Sequence, residues 1–318
     1  MSNILIKNAK VIATMDDDLR ELSNNSIYSE NGIIVEIGKC DNSNYQPEQI
    51  IDATDMVIIP GLINTHHHLF QNLTRCYPKA QNESLFGWLT NLYPVWNNII
   101  PRDIYISALI GLSEMVISGC TTSSDHLYLF PNGSKLEDEI EAAKKVGCRF
   151  HATRGSMSIG ESKGGLPPDS LVENEEAILK DCQRVIENFN DNSEFSMLRI
   201  ALAPCSPFSV SQNLMRETAI LARQYSVGMH THLAENKEDI EYTQKHFGMR
   251  PGEYVEQLGW VGNDVWHAHC VQLNESEIQL FSKTGTSIAH CPCSNMRLAS
   301  GIAPLRNWLD SGVNVGLG

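Results

Sequence analysis

The sequence predicts an α/β fold, a (β/α)8 barrel entered through a small β-rich segment, and three observations predict it. After residue 56, short apolar runs alternate with stretches of helical periodicity. Chemistry-bearing residues collect where those runs end, the face on which barrel enzymes build their sites. The first ~55 residues instead read as short strand-like pieces separated by Asn, Asp and Gly.

Taken in order, residues 4–6, 10–13, 26–28 and 32–37 predict a small β-structure, so residues 1–56 are expected to be part of a flanking domain. Barrel strands are expected at 57–64, 119–124, 148–153, 198–203, 228–232, 264–269, 286–290 and 313–317, which makes 57–318 the barrel domain and ends it at the eighth strand. Helical periodicity covers 102–118, 174–188, 214–224, 252–258 and 275–283. Gly119, Gly147, Gly228 and Gly285 follow these and similar stretches, where a left-handed cap would close a helix.

Composition narrows the function. The 318 residues are 42% hydrophobic, enough for a sizeable core. Lys and Arg number 24 against 38 Asp and Glu, a net charge of −14 that argues against gripping nucleic acid. No run of about 18 apolar residues spans a bilayer, and the start has no signal-peptide pattern. The nine cysteines contain no C-x-x-C pair and fit reduced thiols in the cytoplasm.

In a strand, residues two apart point the same way, so His66 and His68 face one point and His67 the other side. His232, from the fifth strand, adds an imidazole from across the barrel. The set suits one divalent metal, Zn2+ ahead of Fe2+. Glu235 lies three residues on, placed to move a proton between water and substrate. His269 points in from the sixth strand; His267 shares its face by parity but lies deeper, and His230 reads as packing. Gln71 offers an amide to a heterocycle's edge, and Arg154 a guanidinium to an oxygen. Trp88 and Trp96 fall in an expected loop that would cover the pocket, while Asp125 and His126 read as supporting residues.

The segments Pro60-Gly61-Leu62-Ile63-Asn64-Thr65-His66-His67-His68, His232-Leu233-Ala234-Glu235, His269-Cys270 and His290-Cys291-Pro292-Cys293-Ser294-Asn295 resemble the amidohydrolase superfamily in its aminohydrolase branch. Residues 153–158 and 164–169 look most like that branch's 8-oxoguanine deaminases and are similar to hydroxyatrazine ethylaminohydrolases. The resemblance implies a barrel flanked by a β-sandwich made from both chain ends. It also implies a metal on His66, His68 and His232, Glu235 and His269 as acid–base partners, and His290 and Asn295 facing the pocket. The implied reaction is hydrolytic deamination of an oxidised purine, 8-oxoguanine and water giving uric acid and ammonia. Guanine, S-adenosylhomocysteine or a hydroxylated triazine are the alternative substrates.

A fourth ligand, an aspartate directly after the eighth strand, is implied as well, and Gly318 precedes that position. The resulting expectations are weak metal binding, poor turnover, and an unclosed barrel with exposed edges. A non-catalytic amidohydrolase-like interaction protein is the rival of another class. The intact His66, His68, His232, Glu235 and His269 argue against it. A cytidine-type deaminase is excluded, because H-x-E followed by P-C-x-x-C is missing. The expected partner is a small purine or related heterocycle, with no nucleic acid and no membrane, and with a homo-oligomer left open.

Overall fold

The computed structural model describes residues 3–318, which form two compact units that divide between Leu62 and Ile63. The first unit is a five-stranded sheet of β1 (Ile4–Ala13), β2 (Glu21–Glu30), β3 (Ile33–Gly38), β4 (Gln49–Asp52) and β5 (Val57–Ile58). Its order is β3-β2-β1-β4, with β5 also pairing β1. The stretches 4–6 and 10–13 belong to one strand. The register shifts between Ile6 and Ala9, where Asn8 takes φ 62°, so a bulge gives the appearance of two pieces. Ala9, Ile12, Ile27 and Ala53 form its core.

The second unit is a closed parallel barrel. Its strands are β6 (Leu62–Asn64), β7 (Cys120–Leu127), β8 (Arg149–Ser156), β9 (Leu198–Pro204), β10 (Gly228–Leu233), β11 (Val265–His269), β12 (Ser287–His290) and β13 (Val315–Leu317). The expected open edge is therefore not found. β13 pairs β12 on one side and β6 on the other, and both the amide and the hydroxyl of Thr65 donate to the Leu317 carbonyl, at 2.7 and 2.9 Å. Glycine makes this approach feasible: a Cβ at Gly316 would stand 2.5 Å from Thr65 Cγ2.

The surrounding helices follow their sequence patterns. α1 (Leu85–Trp96) buries Leu85, Leu89, Leu92, Tyr93 and Trp96 along one stripe, so Trp88 and Trp96 lie on a helix and not in the expected loop. Pro94 obscures it in the sequence, yet it falls in the last turn, where few hydrogen bonds remain to be lost. After α2 (Pro101–Ile117) come α3 (Leu136–Val146), α4 (Glu175–Phe189), α5 (Gln212–Gln224), α6 (Lys237–Phe247), α7 (Pro251–Gln257), α8 (Glu275–Thr284), α9 (Pro292–Arg297) and α10 (Leu305–Asp310). The side chain of Asn174 caps α4 and that of Asn274 caps α8. Gly147 and Gly285 close α3 and α8 in left-handed conformation, but Gly228 does not cap a helix. It lies inside β10, where a Cβ would meet the Trp266 ring at 2.9 Å. No helix among the described residues is long and apolar enough to cross a membrane.

Gly155 is the tightest strand-to-strand approach: a Cβ there would collide with the Leu127 carbonyl oxygen and lie 2.7 Å from Tyr128 Cα. Because backbone cannot swing aside, Gly155→Ala is expected to destabilise the barrel by about 2 kcal/mol or more. An unchanged urea midpoint would contradict this packing.

Candidate metal centre

Parity along the strands decides which side chains enter the barrel mouth. His126 of β7 and His230 and His232 of β10 all point inward, together with His66 and His68 just beyond β6. The ligand atoms of His66, His68, His126 and His232 lie within 4.8 Å of one another. His67 points away, its Nδ1 3.9 Å from Asp125.

Backbone carbonyls fix the tautomers of these rings, because a carbonyl can only accept. His68 Nδ1 donates to the His126 carbonyl at 2.7 Å, and His232 Nδ1 to the Cys205 carbonyl at 2.6 Å. Both Nε2 atoms are therefore bare lone pairs, and they face each other at 2.9 Å. His230 Nδ1 donates to the Trp266 carbonyl at 2.7 Å, which leaves its Nε2 to accept from His66 Nδ1, also at 2.7 Å. His66 Nε2 is bare in turn. His126 is oriented the opposite way: Nε2 donates to the Ala203 carbonyl at 2.8 Å, and the buried Nδ1 has no partner among the described residues. Neutral nitrogen lone pairs repel at such range unless a cation lies between them, so the donor set fits a divalent metal.

Burial holds these rings uncharged. It depresses His66, His68, His126 and His230 well below the ordinary 6.5, and takes His232 down to about 3. Each neighbouring imidazole adds to the effect by disfavouring a second positive charge.

Glu235 and His269 face each other beside the cluster, with Oε2 3.6 Å from Nε2. Desolvation pushes Glu235 up to about 8, so it keeps its proton at neutral pH. Its backbone amide donates to Asp239 Oδ2 at 2.7 Å, which fixes the turn into α6. His269 reaches the site by a backbone reversal. Its register neighbours place it with His267, on the face opposite Trp266 and Ala268. His267 obeys that parity, donating from Nε2 to the Trp260 carbonyl at 3.0 Å and packing on Phe281. His269 instead takes φ 71° and Cys270 φ 53°, which swings the imidazole into the mouth. A left-handed non-glycine residue costs about 1–3 kcal/mol, and such strain concentrates at functional sites. Asn295 of α9 then receives His269 Nδ1–H at 2.8 Å and leaves Nε2 bare.

The remaining sequence-predicted residues divide. Gln71 stays beside the cluster, its amide donating to Tyr128 Oη at 3.3 Å, and the Tyr128 ring lies 5.2 Å from His68. Trp88 is half-buried against Trp96. Arg154 is not brought to the site. His126 pairs in register with Thr153, so the next residue faces the helices, where Arg154 bonds Asp181 at 2.7 Å and Glu173 at 2.8 Å and stacks over Phe130. The outward parity of β12 likewise sets His290 edge-on to Trp308. His230 is the site residue whose role the sequence did not give, and His126, read there as a supporting residue, turns a free nitrogen into the cluster itself. The inward period-two spacing of His230 and His232 was the available signal.

A closed parallel barrel that gathers bare imidazole nitrogens and one protonated carboxyl at its C-terminal mouth defines the class of metal-dependent barrel hydrolases. The chain belongs to the amidohydrolase family, whose model matches residues 57–318. It is 42% identical to an 8-oxoguanine deaminase of Pseudomonas aeruginosa over 303 residues, 92% of this chain and 68% of that protein. It is 38% identical to an isoxanthopterin deaminase from an unknown prokaryotic organism over 277 residues, 85% of this chain and 58% of that one. The chain thus spans roughly three fifths to two thirds of the length of these curated relatives. The crystal structure of an atrazine chlorohydrolase from Arthrobacter aurescens TC1 complexed with zinc superposes with a TM-score of 0.94 at 34% identity, over 99% of this chain and 71% of that one.

Two outcomes follow from this geometry. His230→Phe removes the acceptor that fixes the His66 tautomer and should weaken zinc binding about ten- to a hundredfold, whereas His230→Gln keeps an acceptor and most of the affinity; chelator competition measures both. Acid should also destabilise the metal-free protein. Burial lowers ten histidines, so below 6.5 the unfolded chain takes up protons that the native state refuses. Five carboxyls, Asp125, Asp138, Glu139, Glu235 and Asp239, are raised and act in the opposite sense. With ten against five, stability present above pH 6.5 should fall as pH drops toward 4, and urea midpoints across that window test the sign.

Proposed function

We propose that this chain carries the metal-binding and acid–base machinery of a hydrolytic deaminase acting on an oxidised purine, converting 8-oxoguanine and water to uric acid and ammonia. One observation carries the reading: bare imidazole nitrogens converge beside a carboxyl that burial keeps protonated near pH 7. The likeness to the Pseudomonas aeruginosa deaminase supports the substrate class. The zinc in the Arthrobacter aurescens structure supports Zn2+ ahead of Fe2+.

His66, His68 and His232 would hold the ion, with His126 Nδ1 available beside them. When bound, it supplies positive charge that lowers the pKa of water and stabilises negative charge developing on the substrate. Glu235 gives its proton to the ring nitrogen next to the carbon under attack. It then takes a proton from the attacking water, passes it to the departing amine, and recovers the water's second proton as the carbonyl forms, so one carboxyl serves as acid and base in turn. His269, bare at Nε2 and held by Asn295, accepts a hydrogen bond from the water or the substrate. Gln71, steadied by Tyr128, pairs with the donor–acceptor edge of the heterocycle. Trp88 forms part of the wall on the α1 side. The substrate is a free heterocycle met in the cytoplasm, where the nine free cysteines stay reduced.

Ammonia release from 8-oxoguanine, isoxanthopterin, guanine and a hydroxylated triazine, measured on zinc-loaded protein, tests the proposal. The expected result is the highest kcat/KM with 8-oxoguanine. Glu235→Gln should cut the rate by roughly 10²–10⁴ at unchanged zinc content. Zinc-loaded protein that releases ammonia faster from one of the other three than from 8-oxoguanine, or a Glu235→Gln variant as fast as the unsubstituted protein, would overturn it.

A further inference from the structure

Cys291 stands one residue past β12, at the inward parity set by Ser287 and Ala289, which pair with inward Trp266 and Ala268. It is 2% exposed, and its thiol has one hydrogen-bond acceptor, the Ala289 carbonyl at 3.4 Å. Its Sγ and a ring nitrogen each of His66 and His269 lie within 4.8 Å of one another. The hydrogen-bond pattern identifies the free nitrogen on each ring. His66 Nδ1 is spent on His230 and His269 Nδ1 on Asn295, so both rings offer Nε2. Nothing among the described residues hydrogen-bonds His269 Nε2; Glu235 Oε2, at 3.6 Å, is too far.

We propose that His66, His269 and Cys291 form a second metal site, selective for thiophilic d10 ions such as Cd2+ or excess Zn2+, that overlaps the imidazole site and excludes it. Two imidazoles and a thiolate are a common donor set for such ions, and sulfur shifts preference toward the softer ones. Overlap follows from His66, whose single free lone pair serves one ion at a time. An ion in the mixed site also occupies His269 Nε2, the nitrogen that faces Glu235. Binding replaces the thiol proton with the metal and releases that proton to solvent; no electrons move. The inference takes from the proposed function only that His66 is a metal ligand.

Titration of the metal-free 318-residue protein with Cd2+, followed by thiolate-to-cadmium charge-transfer absorption in the ultraviolet, tests it. The expected result is a band that saturates with one buried thiolate, disappears in Cys291→Ser, and survives in Cys293→Ser, which alters an exposed cysteine. His269→Gln should move the midpoint of the band to at least about tenfold higher Cd2+. Zinc stoichiometry and thermal unfolding of Cys291→Ser, measured alongside, show whether the imidazole site and the fold persist. Metal bound with no thiolate band at any loading overturns the second site and leaves the first standing. A band that persists in Cys291→Ser overturns it too, and no metal binding at all overturns both.

Discussion

Three backbone carbonyls, those of His126, Cys205 and Trp266, are what the site depends on. Each accepts an imidazole N–H and thereby turns the other ring nitrogen, directly or through His230, toward a common point. A single hydrogen bond of this kind contributes only about 1 kcal/mol to stability. Its larger effect is directional: it selects the tautomer and locks the ring plane. Because these carbonyls lie in or just beyond β7, β9 and β11, the barrel frame itself orients the lone pairs.

Desolvation then makes the site electrically quiet. Removing water disfavours charge of either sign, so the same burial that keeps the imidazoles neutral keeps Glu235 protonated. A neutral cluster of lone pairs is a poor place for a proton and a favourable one for a divalent cation. Behind it, the buried carboxyls of Asp125 and Glu139 are raised by the same cause. Asp125 Oδ1 accepts from the Leu69 amide at 2.6 Å, which pins the turn that follows His68. Support for the imidazole cluster thus comes from the helix side of β7 as well as from inside the barrel.

Much of this was legible in the sequence, for reasons that can be named. His66, His68 and His232 were found because period-two spacing at the end of an apolar run survives errors of several residues in strand boundaries. Arg154 departs from its expected place because its parity depends on the register of β8 against β7, which no local pattern reveals. Trp88 reads as loop in the sequence because Pro94 hides the helix around it. His230 looked like packing because its partner, His66, is 164 residues away.

The sequence by itself determined the barrel, the three imidazoles that face one point and the carboxylate that follows them, since local periodicity and motif spacing encode these. Tertiary structure alone decided the rest: closure through the three-residue β13, the tautomer of each ring, the protonation of Glu235 and the left-handed turn that delivers His269. Each of these depends on groups distant in the chain coming within hydrogen-bond range or excluding water together, and spacing along one strand carries no record of that.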